Sequence, residues 1–193
     1  MSMFTAPARS FICLRHGATD WNRQGRFQGR TDNPLNDDGI AQAHAAAERL
    51  QQVALGQIVS SPLLRALKTA EIIAAAAAKT VTVDRRLIEL DFGSFEGKPV
   101  RETMIQHGAN SAQGLVDMLP PDAEPWNDVA QRALHSVGQW LERHRQDEFL
   151  FVCHDAVMQA MAQTLSGKFF KNGHGKPFRF ARLSDAWTVE EVR

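Results

Sequence analysis

The chain has 193 residues, 44% of them hydrophobic, with 22 basic and 22 acidic side chains, a size and balance that predict one domain over residues 1–193. Zero formal net charge argues against a general nucleic-acid or polyanion binder, which carries a clear basic excess, so any anion site must be local. Two cysteines are too few for a disulfide framework or a cysteine-rich zinc site and point to a reducing compartment, the cytoplasm. The first ten residues lack a basic and then apolar leader pattern, and the alanine-rich run at 72–78 is far shorter than the roughly 20 residues of a membrane span.

Apolar runs and helical periodicities alternate along the chain, which predicts an α/β fold. Residues 11–14 read as a strand buried on both faces, ending in Arg15-His16-Gly17. A polar, glycine-containing loop follows, and then Ile40, Ala43, Ala47 and Leu50 form a helical stripe facing the core. Residues 57–60 are a second strand. Ser61-Pro62 looks like a helix start, a hydroxyl cap followed by a proline whose missing N–H costs nothing, with Leu63, Leu67, Ala70 and Ala74 on the buried face.

Residues 80–83 alternate as a strand, 87–97 read as a shaped loop and 99–107 as a helix. The stretch 108–125 mixes Asn, Ser, Gly and a Pro-Pro pair and has no clear period, so residues 98–126 are expected to form a cap or lid over a site. Trp126, Val129, Ala133, Val137 and Trp140 resume helical spacing. Residues 149–153 form a second strand of the buried type, ending in His154-Asp155, and a helix follows with Val157, Ala160, Met161 and Leu165 inward. Residues 178–183 and 187–192 read as a closing hairpin.

Two buried strands that each end in a histidine direct attention to their carboxyl ends, where open α/β sheets bind ligands. Arg15 follows an apolar run, where a guanidinium is costly unless it is paired or bound to an anion. Arg65 falls in the first turn of a helix, where a cation opposes the macrodipole by about 0.3–1 kcal/mol. Each is explicable alone as a solvated or structural residue. Together, two guanidiniums and two imidazoles suit a dianionic phosphoryl group.

The segment Leu14-Arg15-His16-Gly17-Ala18-Thr19-Asp20-Trp21-Asn22 resembles the signature of the histidine phosphatase superfamily, in the branch that includes cofactor-dependent phosphoglycerate mutase and related small phosphatases. The likeness continues in order through Gln28-Gly29-Arg30-Thr31-Asp32-Asn33-Pro34-Leu35, Ser60-Ser61-Pro62-Leu63-Leu64-Arg65-Ala66, the loop at residues 87–97 and the strand ending at His154. The resemblance implies a three-layer α/β/α sandwich with a mainly parallel sheet. It implies His16 as the nucleophile that becomes phosphohistidine, with Arg15, Arg65 and His154 around the phosphate and Asn22 as a further contact. Gln28 and Gly29 fall in the second block as substrate-binding candidates. No metal and no cofactor is expected, because fixed cationic donors can supply in-line positioning and charge stabilisation.

Glu89 matches the family's proton donor, which when protonated serves the leaving alkoxide and when ionised activates water. By chemistry alone Asp91 and Glu96 compete with it. Gly17, Gly29 and Gly93 read either as turn residues or as places where the backbone approaches a ligand. Asp155 departs from the pattern, which has glycine after the second histidine. It reads either as an N-cap of the following helix or, resembling the acid-phosphatase and phytase branch, as a group that shares or replaces the role of Glu89.

Cys13 and Cys153 sit beside the two histidines, where a buried apolar role stands against a redox one. The segment 168–179, with Phe169, Phe170 and Phe178 among basic residues, reads as a solvated loop entering the hairpin rather than a nucleic-acid surface.

The expected activity is hydrolysis of a small phosphomonoester through phosphohistidine, with neither nucleic acid nor membrane as partner. Mutase-type phosphoryl transfer is the alternative. It is disfavoured by a compact stretch at 97–126 and by a leaving-group motif reduced to Asp122-Ala123-Glu124-Pro125-Trp126. The remaining alternative is a phospho-ligand-binding or regulatory protein with weak turnover, for which Asp155 is the sign. The variable stretch 98–126 carries no motif that selects a substrate, and the oligomeric state is open.

Overall fold

The computed structural model describes residues 6–144, 148–184 and 186–192. Among them, six strands build one sheet: β1 (Phe11–Arg15), β2 (Leu55–Ser60), β3 (Val81–Val83), β4 (Glu148–Cys153), β5 (Pro177–Leu183) and β6 (Ala186–Glu191). Their order is β3-β2-β4-β1-β5-β6. The first four are mutually parallel, and β5 pairs antiparallel with both β1 and β6. The helices are α1 (Asp20–Arg23), α2 (Asp37–Arg49), α3 (Leu64–Ala76), α4 (Val100–Gln106), α5 (Ala112–Asp117), α6 (Trp126–Arg143) and α7 (Asp155–Ser166).

The period-2 alternation of strand side chains divides the core into two layers. Phe11, Cys13, Val59, Phe149, Phe151 and Cys153 face α6 and α7, whereas Ile12, Leu14, Ile58, Leu150 and Val152 face α2 and α3. Burial on both faces is why β1 and β4 read as unbroken apolar runs. The result is the expected three-layer α/β arrangement with a mainly parallel sheet. None of the described helices is long and apolar enough to cross a membrane.

β1 and β4 are neighbours in register, Arg15 opposite Cys153, so the histidines that follow them emerge together at the carboxyl edge. The His16 N–H extends the ladder by donating to the Cys153 carbonyl at 3.1 Å. Cys13 and Cys153 are free and fully buried, and burial pushes the Cys13 thiol up, away from a reactive thiolate.

Four local expectations are corrected. Ile40 is 38% exposed rather than core-facing, because the buried stripe of α2 runs through Gly39, Ala43, Ala46 and Ala47. That rotation follows from close packing: a Cβ on Gly39 would sit 2.1 Å from the Ala18 carbonyl oxygen, and one on Gly17 would sit 2.2 Å from the Gly39 carbonyl oxygen. Gly17 therefore lets α2 approach the loop after β1 and needs no special turn conformation, whereas Gly29 (φ +52°) and Gly93 (φ +54°) occupy the left-handed region as turn residues do.

Ser61 does not cap α3, which begins at Leu64 with no side-chain cap from its N-cap residue, Leu63. The carboxylate of Asp32, reaching from another loop, accepts from the Leu64 N–H at 2.7 Å. The periodless stretch 108–125 contains helix α5, capped by Ser111, whose side chain accepts from Gly114 N–H at 3.0 Å. Finally, the loop before β5 is not merely solvated: the Phe170 ring packs at 5.0 Å from Phe178 and 6.0 Å from Phe180.

Candidate active site

His16 directly follows β1 and is only 2% exposed. Its Nδ1 lies 2.7 Å from the Gly17 carbonyl oxygen, and its Nε2 lies 3.3 Å from the Nε of Arg65. A carbonyl can only accept and a guanidinium N–H can only donate, so the ring is fixed as neutral imidazole with the proton on Nδ1 and a lone pair on Nε2. Burial, followed by the charges of Arg65 and Arg15, holds its pKa well below the usual histidine value.

Arg65 is fully buried in the first turn of α3. Its two terminal nitrogens donate to the carbonyls of Thr31 at 2.8 Å and Gly29 at 2.7 Å. Together with the Asp32 carboxylate at the same helix start, these bonds offset the cation's unfavourable place in the macrodipole. Thr69, one turn later, accepts from Gly17 N–H at 3.0 Å and donates to the Arg65 carbonyl at 2.7 Å. Helix α3 is thereby tied to the turn that carries the nucleophile candidate.

Arg15 sits at the mouth with its side chain 16% exposed, Nη1 3.4 Å from Asp155 Oδ2 and its buried Nε without a partner. His154 is fully buried behind His16, their ring centroids 5.1 Å apart. Its Nε2 is 2.7 Å from Ser61 Oγ, and its Nδ1 has no partner.

Glu89 borders the same cavity and is 6% exposed. Burial pushes its carboxyl up to about 7 against the pull of the Leu90 N–H, Arg65 and Arg15. The loop that carries it is held by Arg132 of α6, which donates to the carbonyls of Arg86 at 2.7 Å, Ile88 at 2.6 Å and Glu89 at 3.2 Å. The same guanidinium forks onto Glu124 at 2.7 and 2.9 Å. Asp91 and Glu96 have structural partners instead: Asp91 pairs with Arg30 at 3.1 Å, and Glu96 accepts from the Thr31 hydroxyl at 2.7 Å.

A cavity of about 480 Å³ is lined by Arg15, His16, Asn22, Gln28, Gly29, Arg65, Glu89 and Asp155, and His154 packs against His16 without lining it. Asn22 Oδ1 accepts from the Thr19 N–H at 3.1 Å within a capping box, which leaves its amide nitrogen for a ligand. Gln28 accepts from the Thr19 hydroxyl at 2.9 Å and Gly29 holds Arg65 through its carbonyl, so both position neighbours at the cavity edge.

Asp155 is not the N-cap. His154, with extended backbone, occupies that position, and Asp155 is the first residue of α7. Its carboxylate is turned toward Arg15 and the cavity.

His174 went unnoticed in the sequence, where its place after Asn172-Gly173 in a basic, aromatic loop was the one signal. Its ring lies 5.7 Å from that of His16, it lines the cavity, and its Nε2 is buried without a partner. Burial and the Arg15 charge lower it to about 4.

Comparison with known proteins gives the family and the fold. Residues 11–184 match the family model described as "Histidine phosphatase superfamily (branch 1)". The chain is 35% identical over 158 residues to "Probable phosphoglycerate mutase GpmB" of Citrobacter koseri, covering 80% of this chain and 73% of that protein. It is similar to a mycobacterial glucosyl-3-phosphoglycerate phosphatase solved with VO3, with a TM-score of 0.80 and 27% identity over 95% of this chain and 98% of that one. Bacillus stearothermophilus YhfR gives a TM-score of 0.81 and 27% identity, over 95% and 96% of the two chains. By the family model that spans residues 11–184, the chain belongs to branch 1 of the histidine phosphatase superfamily, a family of enzymes.

Proposed function

We propose that the protein hydrolyses phosphomonoesters by transferring the phosphoryl group to Nε2 of His16 and then to water. The observation that carries this reading is the doubly fixed tautomer of His16, which holds a lone pair on Nε2 inside a cationic cavity. Arg15, Arg65, Asn22 and the unpartnered Nδ1 of His154 supply donors for the phosphoryl oxygens. Ser61 Oγ accepts from the Leu63 N–H at 3.3 Å. Its own proton is then free to go to His154 Nε2, which leaves Nδ1 protonated as a donor.

The Nε2 lone pair attacks phosphorus as the P–O ester bond breaks, and neutral Glu89 gives its proton to the departing alkoxide. Ionised Glu89 then takes a proton from the water that attacks phosphohistidine, which releases inorganic phosphate and restores both groups. Charge stabilisation by fixed guanidiniums supplies the electrostatic part of the barrier lowering.

Hydrolysis is favoured over a mutase reaction because the cavity cations cluster at one end. Farther out, the cavity is lined by one more arginine, Arg26, already donating to the Gly97 carbonyl at 2.6 Å. A bisphosphate would need a second set. Two unpaired buried thiols fit a cytoplasmic setting.

The test is acid-quench trapping of phosphohistidine and turnover of p-nitrophenyl phosphate, with and without EDTA and with bisphosphoglycerate present or absent. The reading expects an acid-labile phosphoenzyme, turnover unaffected by chelation, and loss of both in His16→Ala. Turnover that survives in His16→Ala overturns it, and turnover that requires bisphosphoglycerate favours the mutase.

A further inference from the structure

We infer that the alcohol half of the substrate is apolar and uncharged, an alkyl or aryl group rather than a polyol or a carboxylate. The inference rests on the phosphomonoester reading and concerns the part of the cavity that reading leaves undescribed. Beyond the cationic end, the walls are Phe92 from the Glu89 loop, Val100, Met104, Leu115 and Trp126 from the segment expected to form the cap, and Phe169 from the loop before β5. Three separate stretches of chain converge to present aromatic and aliphatic surface to one space.

Most polar atoms of the side chains in that outer half are already bonded within the protein. The Trp126 indole N–H donates to Gln163 Oε1 at 2.6 Å, which turns its only polar atom to α7. Gln159 is bonded at both ends of its amide to the backbone of Phe170, at 2.6 and 3.1 Å. The Ser111 hydroxyl caps α5, and Arg26 holds the Gly97 carbonyl and Gln24 Oε1. A leaving group with several hydroxyls would exchange water for a wall that is mostly carbon, where the Ser111 O–H and the remaining Arg26 N–H groups are the few donors left, a desolvation cost largely without compensation.

A carboxylate-bearing leaving group meets a further obstacle. Asp155 lies at the mouth beside Arg15, and Glu89 borders the same space. Asp155, and Glu89 once it has given up its proton, repel a second anion, whereas an alkyl or aryl group gains by leaving water for this surface.

The test uses primary alkyl leaving groups, whose basicity is nearly constant from ethyl to hexyl, so that intrinsic reactivity does not imitate binding within that series. The kcat/KM values for ethyl, butyl and hexyl phosphate are compared with those for glycerol 3-phosphate and 3-phosphoglycerate. Calorimetric Kd values for ethyl-, butyl- and hexylphosphonate give the same comparison without turnover.

Both series should gain about two- to fourfold per methylene, the size expected for burying one CH₂, and hexyl phosphate should exceed glycerol 3-phosphate. Met104→Ser and, separately, Leu115→Ser should flatten the series while the Ki of inorganic phosphate stays within twofold. A flat series in wild type, or a preference for glycerol 3-phosphate or 3-phosphoglycerate, overturns the inference and leaves the phosphohistidine reading intact. Activity retained in His16→Ala overturns that mechanism, while the phosphonate series still decides the character of the wall.

Discussion

The Nε of Arg65 lies 3.3 Å from Nε2 of His16, while the rest of the same guanidinium holds the carbonyls of Gly29 and Thr31. One buried side chain thus fixes the lone pair of the nucleophile candidate and the shape of the loop across the cavity. Arg65→Lys keeps the charge but loses the planar fork. We expect kcat/KM to fall at least about 100-fold, the scale of losing one preorganised donor. Thermal stability should fall as well, because two partly enclosed carbonyls lose donors worth about 1–3 kcal/mol each. Activity within threefold of wild type would contradict the assignment.

Glu89, at about 7, gives a pH dependence of definite sign. Its neutral form protonates the leaving group, so kcat/KM on alkyl phosphates should fall above pH 7, and Glu89→Gln should lower the rate and remove that limb. Stability runs the same way. A carboxyl raised above its usual value near 4.5 makes the folded state lose stability as pH rises from there to about 7, by an amount on the order of 3 kcal/mol. Glu89→Gln should therefore raise Tm at pH 8 by several degrees and leave it nearly unchanged at pH 4.5. Equal Tm differences at the two pH values would sink this account.

Asp155 pairs with Arg15 at 3.4 Å with its own side chain 43% exposed, a pair worth under about 1 kcal/mol to stability. Asp155→Asn frees Arg15 for the phosphoryl group, so the Ki of inorganic phosphate should tighten several-fold with little change in Tm. On poor leaving groups it should cost less kcat than Glu89→Gln. If the order of those two variants is reversed, Asp155 and not Glu89 is the proton donor.

His174 presents a buried, unpartnered Nε2 beside His16 and Arg15. We expect His174→Ala to weaken inorganic phosphate binding about tenfold, the scale of one hydrogen bond to a charged group, and His174→Gln to recover part of it. With a folded value of about 4, below that of the free side chain, the neutral ring contributes stability above about pH 6.5 that is lost as pH falls toward 4. The Tm of wild type should accordingly drop more than that of His174→Gln across that window. An unchanged Ki in His174→Ala would assign the ring a packing role.

The apolar runs of β1 and β4 were legible because burial on both faces leaves a local record in composition, and the histidines at their ends followed from chain order. The motif blocks around His16, Arg65 and Glu89 were legible for the same reason, since each is contiguous. Asp32 over the start of α3, Arg132 on the Glu89 loop and Glu124 behind it were not. Their partners are 32, 43 and 8 residues away in sequence, and a cap or a tether supplied from another segment leaves no mark at the position it serves.

The same distinction explains the misreadings at Ser61 and Asp155. A hydroxyl or carboxylate near a helix start is a good local cap, but the backbone of Leu63 and His154 set the starts later and earlier, respectively. Strand identity, helix periodicity and the residue types of the site belong to the sequence alone, because short-range sterics and burial write them locally. The tautomer of His16, the recruitment of His174 and the apolar outer wall depend on side chains from distant segments meeting in one space, so they exist only once the chain has folded.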